Sequence, residues 1–277
     1  MTEFEMIKRY FYREGSGRPE IVLGNGDDCA LIQSTKTLAV SIDTLVLDTH
    51  FTAEIAPYDL GQRALAVNLS DCAAMGAQPL AFLLALTLPE LNSEWLQAFS
   101  RGLFAEAEAF NLDLIGGNTT RGPLSITIQI MGELDQALMR SGARVGDDIY
   151  VSGILGAAAL KITPRVALGL ALQGIAHAAI DISDGLIQDL HHILEASGCG
   201  AQLYEKMIPC HGTLEKALYY GEDYELCFTA PAQCREVIQA LSKKLNLPLS
   251  CIGHITPGPL FLLDQKPLEI KGYQHFR

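Results

Sequence analysis

The apolar positions of this chain fall into short runs and helix-spaced repeats that alternate along its length. Residues 21–31 read as a strand broken by the polar turn Asn25-Gly26-Asp27-Asp28, and residues 37–44 as a strand ending near Asp43. Between residues 58 and 75, Leu60, Ala64, Val67, Leu69 and Ala73 recur at roughly helical spacing, with Asp71 inside the helix. Residues 80–88 form a buried strand, and residues 94–110 an amphipathic helix that Asn111 ends. Residues 112–115 and 124–132 read as two further strands around a Gly116-Gly117-Asn118 turn. A polar, glycine-containing turn at 142–148 marks a boundary, followed by a strand at 149–152 and a helix at 164–173. Leu186, Leu190, Ile193 and Leu194 then define a helix over 185–196 that Gly198 ends. A strand at 224–229, a helix at 232–245 and a strand-like tail complete the pattern, which shows no repeat of solenoid length. Both halves are mixed, so the expected fold class is α+β with two mixed α/β domains.

Four stretches set aspartate beside glycine, serine or asparagine at the edge of an apolar run. They are Gly24-Asn25-Gly26-Asp27-Asp28, Ser41-Ile42-Asp43, Asn68-Leu69-Ser70-Asp71 and Asp181-Ile182-Ser183-Asp184-Gly185. Each alone is ordinary turn chemistry. Together they suggest a metal and phosphate site, because carboxylates at strand ends can converge on hard divalent cations and glycine lets backbone N–H groups approach an anion.

Composition narrows the ligand class. The chain has 277 residues, 49% of them hydrophobic, enough for a full core, and a formal net charge of −12. That charge disfavours an electrostatic grip on nucleic acid or on an anionic membrane, so a polyanionic substrate has to arrive with cations. The amino terminus has no apolar core of signal-peptide length, and the 80–88 run is too short to span a bilayer. Seven cysteines without Cys-x-x-Cys spacing read as reduced, mostly buried thiols of a cytoplasmic protein. The P-loop, dinucleotide-binding, protein-kinase, serine-hydrolase and His-Glu-x-x-His signatures are all absent.

Six ordered blocks carry a resemblance: Asn25–Ala30, Ser41–Phe51, Ala66–Pro79, Gly116–Gly122, Ala179–Leu186 and Gly221–Leu226, with Gly272-Tyr273-Gln274-His275-Phe276 at the end. They resemble the motifs of the thiamine-monophosphate kinase family, within the ATP-binding superfamily of aminoimidazole ribonucleotide synthetase and selenophosphate synthetase. The match runs from about residue 20 to the carboxyl end. The resemblance implies an amino-terminal ATP/Mg-binding domain, 1–137, that forms a dimer sheet or barrel with its copy, and a carboxyl-terminal α+β domain, 138–277, that covers the nucleotide. It implies phosphoryl transfer from ATP to thiamine monophosphate by a homodimer. Carried over by position, Asp27, Ser41, Ile42 (through its backbone oxygen), Asp43, Asp71, Asp181 and Asp184 hold Mg2+. Gly117, Asn118, Arg140 and Ser183 touch ATP, and His50, Glu222 and Tyr273 form the thiamine-phosphate side.

The chemistry suits this set. A phosphate nucleophile with a second pKa near 6 is largely ionised at neutral pH, so no catalytic base is expected, and positioning with metal assistance carries the reaction. Several residues keep a second reading on their own: Ser183 and Asp184 as a helix N-cap, His50 as a structural histidine, Tyr273 as a terminal aromatic against the core, and Arg140 as a solvated loop residue. The family's Gly-Gly-Asp is Gly116-Gly117-Asn118 here, an amide at an expected metal position. The chain is also short between 153 and 164 and again before Gly221, where Tyr220 stands for a usual glycine. Another ATP-dependent enzyme of the superfamily, or a catalytically silent nucleotide-binding homologue, are the alternatives these departures leave.

Overall fold

A computed structural model describes residues 2–13, 15, 17–157 and 162–273. The Gln274-His275-Phe276 end of the final motif and residues 158–161 of the shortened stretch lie outside the described residues. The chain divides into two compact units, one made of Met1–Cys72 and Gln78–Asp135, the other of Ala73–Ala77 and Gln136–Arg277.

The first unit holds α1 (Glu3–Tyr10), β1 (Ile21–Leu23), β2 (Leu31–Ile32), β3 (Thr37–Val46), α2 (Pro57–Met75), β4 (Gln78–Leu88), α3 (Ser93–Ala109), β5 (Asp113–Arg121) and β6 (Ser125–Leu134). A four-stranded sheet runs β3-β6-β4-β5, antiparallel except for the β4–β5 pair that α3 connects. Alternation along β6 buries Ile126, Ile128 and Ile130 on one face. On the other face the β1–β2 hairpin lays Ile21, Ala30 and Ile32 against Leu80, Ala81, Ile115 and Met131. The outer face of β3 stays open, with Leu38, Val40 and Ile42 at 38%, 55% and 61% exposure.

Helices α2 and α3 meet at two glycines. A Cβ on Gly61 would lie 2.2 Å from the Phe99 carbonyl oxygen, and one on Gly102 1.9 Å from that of Tyr58. Asn92 caps α3, its Oδ1 accepting from the N–H groups of Glu94 and Trp95 at 3.0 and 3.1 Å.

The second unit holds β7 (Asp148–Ser152), α4 (Val166–Leu172), β8 (Ala178–Asp181), α5 (Leu186–Ser197), β9 (Gly200–Leu203), α6 (Leu214–Tyr219), β10 (Leu226–Ala230), α7 (Arg235–Leu245), β11 (Leu249–Thr256), β12 (Phe261–Leu263) and β13 (Lys266–Pro267). Its seven-stranded sheet runs β13-β12-β9-β11-β7-β10-β8, and among these pairs β12–β9 is parallel. The core lies between this sheet and α5 with α6, where Ile149, Val151, Ile180 and Cys227 meet Leu186, Leu190, Ile193 and Leu218. On the opposite face, Tyr150 stacks on Phe228 with ring centroids 5.2 Å apart, and α4 and α7 pack together.

Three sequence expectations change. Gly116-Gly117-Asn118 is not a turn but part of β5, and the chain reverses at Gly122-Pro123 instead. The glycines serve close approach: Gly117 sits at φ +153°, and a Cβ there would fall 1.9 Å from the Leu84 carbonyl oxygen of the neighbouring strand. The strand expected at 224–229 begins two residues later, after a loop with left-handed Glu222 and Tyr224. The cysteines are free but not mostly buried: Cys72, Cys199 and Cys227 are, whereas Cys29 and Cys210 are exposed. Among the described residues, no helix is long and apolar enough to cross a membrane.

Gly102→Ala gains about 1 kcal/mol of helix propensity but forces two backbones apart, an overpacking cost of roughly 1–3 kcal/mol or more. The expected outcome in urea unfolding is a lower midpoint for the variant; an equal or higher one would refute the close-approach role.

Candidate active site

The sequence-expected residues gather in two clusters, one in each unit. In the first, β3 and α2 bring Ser41, Asp43, Asn68 and Asp71 together. The Ser41 hydroxyl donates to the Asp71 carboxylate. The Asp43 N–H donates to the Asn68 Oδ1 at 3.2 Å, while the Asn68 amide nitrogen donates to the Ala64 carbonyl at 2.9 Å. Asn68 is 1% exposed, so its amide orientation is fixed by both bonds, and it locks the β3 backbone to α2. Burial, reinforced by the neighbouring Asp71 carboxylate, pushes the Asp43 carboxyl up to about 6. Two partly buried carboxylates beside a hydroxyl make a hard-oxygen donor set.

Ile42 points to the opposite, exposed side of β3 by strand alternation, so what it can offer on the Asp43 side is main chain. His50 lies in the turn after β3, and its Nδ1 accepts from the Val46 N–H at 3.0 Å. With Nδ1 accepting, the proton of the neutral imidazole sits on Nε2.

Asn118 stands apart from Asp43. Asp27 is exposed in the β1–β2 hairpin, its Oδ1 accepting from the Asp28 N–H at 2.8 Å, and Asn25 ties that loop to the Leu114 carbonyl at 2.6 Å. Register puts Asn118 in a row with Ala85, Thr127 and Thr44 on the exposed face of β5. The sheet order sets β5 and β3 at opposite edges, three strand spacings apart, about 14 Å. Gly117 lies one residue before Asn118, in the row of Leu84, Ile128 and Asp43.

The second cluster surrounds the end of β8. Asp181 and Asp189 are 6% and 3% exposed. The Asp189 carboxylate accepts from the N–H groups of Asp184 and Gly185 at 3.0 and 3.1 Å. Burial first, and then the Asp181 charge, push the Asp189 carboxyl up to about 8. Neither Ser183 nor Asp184 caps α5. The N-cap is Gly185, without a side-chain cap bond, and the carboxylate that ties down the entry to the helix reaches back from Asp189.

The loop that carries Glu222 lies against this turn. Ser183 O accepts from the Glu222 N–H and Ile182 O from the Tyr224 N–H, both at 2.8 Å. Gly221, at φ +68°, would put a Cβ 2.2 Å from the Ser183 oxygen, so only glycine fits there. The Tyr273 N–H donates to the Asp184 carbonyl at 3.1 Å, which brings its main chain to the same turn, and the residue is 44% exposed. Ser183, Asp184, Glu222 and Tyr273 are thus neighbours. Arg140 is exposed at the far end of α5, where its carbonyl accepts from the Ser197 hydroxyl at 3.1 Å. Among the described residues, no three His, Cys, Asp or Glu side chains meet closely enough to hold a metal by themselves. Sequence reasoning missed Asn68 and Asp189 as working parts. Asp189 left one signal, an acidic residue in the first turn of a helix that opens on an aspartate motif.

Comparison with known proteins identifies the class. The chain belongs to the AIR synthase related proteins, matching their N-terminal domain over residues 26–134 and their C-terminal domain over residues 140–263. Within that class it belongs to the thiamine-monophosphate kinase family. It is 45% identical to the thiamine-monophosphate kinase of Salmonella typhimurium, over 99% of this chain and 98% of the relative. That alignment runs to 318 positions against 277 residues here, so the relative carries segments this chain lacks. The crystal structure of thiamine-monophosphate kinase from Stenotrophomonas maltophilia is 42% identical and has a TM-score of 0.87, over 91% of this chain and 93% of that one. A structure described as AaThiL complexed with AMPPCP and TMP is 28% identical with a TM-score of 0.81, over 88% and 89%.

A raised Asp43 pKa means that between about pH 4 and pH 6 the folded chain binds more protons than the unfolded one, so stability falls as pH rises through that window. Asp43→Asn removes this penalty, of the order of 3 kcal/mol. In chelator, its melting temperature should exceed the parent's at pH 7 and converge with it near pH 4. Parallel curves at all pH values would contradict the burial of that charge.

Proposed function

We propose that this chain catalyses transfer of the γ-phosphoryl group of ATP to thiamine monophosphate, giving thiamine diphosphate and ADP. The observation that carries the reading is the partly buried Asp43–Asp71 carboxylate pair beside Ser41, on a chain that matches thiamine-monophosphate kinases over nearly its whole length. The AMPPCP and TMP described for the 28%-identical neighbour support both substrates.

The acceptor's phosphate is its own nucleophile, so the residues position and no side chain has to take its proton. Asp27, Asp43, Asp71, Asp181 and Asp184, with the Ser41 hydroxyl and the Ile42 main chain, are assigned to Mg2+. The Asp43–Asp71 pair with Ser41 is a hard-oxygen set of the kind Mg2+ takes, one or two carboxylates with water and substrate phosphate completing its octahedron. Bound Mg2+ supplies the positive charge that offsets repulsion between two phosphorylated substrates. Gly117, Asn118, Arg140 and Ser183 are assigned to ATP, the Arg140 guanidinium as the positive partner of phosphate. His50 is assigned to the acceptor phosphate, Tyr273 to stacking on the cationic thiazolium, and Glu222 to complementing its charge.

A homodimer through the outer face of β3 belongs to the same reading, supported by the exposed Leu38, Val40 and Ile42. Residues 1–137 would then be the nucleotide-binding and dimerising half and 138–277 the carboxyl-terminal half. Seven free thiols agree with a cytoplasmic setting.

Purified chain incubated with Mg2+, ATP and thiamine monophosphate should form thiamine diphosphate and ADP in equal amounts, and Asp71→Asn should lower the rate at least about 100-fold. Nucleotide binding without product at any Mg2+ concentration would favour the silent homologue that Asn118 suggests. If the Asn118 position serves a metal, Asn118→Asp should shift the Mg2+ concentration for half-maximal rate downward; an unchanged value would remove it from the metal set.

A further inference from the structure

The Glu222 loop depends on a largely buried three-residue hub, Ser152, Arg165 and Glu225, none of which is assigned above. Glu225, 6% exposed, follows the loop immediately. Its carboxylate receives both arms of the Arg165 guanidinium, Nε on Oε2 at 2.7 Å and Nη2 on Oε1, together with the Ser152 hydroxyl on Oε2. The same Ser152 oxygen accepts from the Leu226 N–H at 2.9 Å. Room for the carboxylate comes from Gly153, where a Cβ would lie 2.0 Å from Glu225 Oε1. Three separate pieces of chain, the end of β7, the residue before α4 and the start of β10, are therefore pinned at one carboxylate.

What this hub holds is a strained segment. Glu222 and Tyr224 both sit in the left-handed region, at φ +59° and +50°, which non-glycine residues avoid unless their surroundings over-determine them. On one side the loop is fixed by the two backbone bonds to Ser183 and Ile182. Between the strained residues, the Asp223 carboxylate accepts from the Gly156 N–H at 2.9 Å, and Gly156 lies just beyond Gly153. On the other side Glu225 is the anchor, its own carbonyl accepting from the Ile182 N–H at 2.8 Å.

We propose that Arg165 and Glu225 are positioning residues for the acceptor side of the reaction: their forked ion pair, with Ser152, sets the left-handed loop that aims Glu222 at the thiamine moiety. The inference rests on the kinase reading above. A fork is required because two parallel bonds fix the plane of the carboxylate, which a single ammonium does not. The pair thus acts on substrate geometry through the backbone of residues 222–224 and touches no substrate itself.

The test is steady-state kinetics with ATP and thiamine monophosphate varied separately, on the parent, Arg165→Lys, Glu222→Ala and the double variant. Arg165→Lys keeps the charge and loses the fork. It should raise KM for thiamine monophosphate about tenfold while KM for ATP stays within about twofold. Combined with Glu222→Ala it should add nothing, because its effect runs through Glu222. Equal movement of both KM values, no movement, or multiplicative losses in the double variant would overturn the proposal. Should Arg165→Lys fail to fold, Arg165→Met with Glu225→Met removes both buried charges together and must show the same acceptor-selective change; a uniform loss there overturns it too. A parent that forms no thiamine diphosphate sinks the kinase reading and this inference with it, whereas a working parent without the KM split sinks only the inference.

Discussion

Both functional clusters are built on the same unfavourable interaction, carboxylates held close to one another and away from water. Asp43 with Asp71 in the first unit, partly buried, and Asp181 with Asp189 in the second, buried, each set carboxyl groups close together. Left alone, such a pair raises the pKa of one member and costs stability. The fold meets that cost locally with donors: a serine hydroxyl on Asp71 and two backbone N–H groups on Asp189. The carboxylate charge that remains is what the proposed Mg2+ would offset.

The scaffold around the clusters is correspondingly tight. Asn68 joins β3 to α2 through two hydrogen bonds from a single buried amide, so the carboxylate on the strand and the one on the helix keep a fixed relation. Around the second cluster, Gly221 lets one loop reach the Ser183 carbonyl, and the Arg165–Glu225 fork holds that loop in a conformation its residues would not choose. Strain in the Glu222 loop and the like-charge pair of Asp181 and Asp189 thus lie in the same part of the second unit.

Much of the element pattern was legible because it rests on local chemistry. The α5 repeat of Leu186, Leu190, Ile193 and Leu194, and its stop at Gly198 in the left-handed conformation, follow from spacing and from glycine's tolerance of positive φ. The reading failed where a glycine answered a distant neighbour. Gly116-Gly117 looks like a turn, yet it lies in mid-strand, where the Leu84 carbonyl leaves no room for a side chain on Gly117. Ser183 and Asp184 look like caps, yet the bond that ties down the start of α5 comes from Asp189 inside the helix. Asn118, in the expected metal motif, sits on the exposed face at the opposite sheet edge from Asp43, a separation that strand order alone creates.

The sequence by itself determined the chemical inventory: the acidic motifs, the balance of charge, the mixed α and β pattern and the ordered blocks that mark the family. Tertiary structure decided which of those residues act together. It paired Asp43 with Asp71, buried Asp189 close to Asp181, and set Asn118 on the opposite edge of the sheet from Asp43. The physical reason is range: periodicity and turn chemistry are settled by neighbours a few residues away, whereas burial, charge pairing and close backbone approach join residues tens of positions apart.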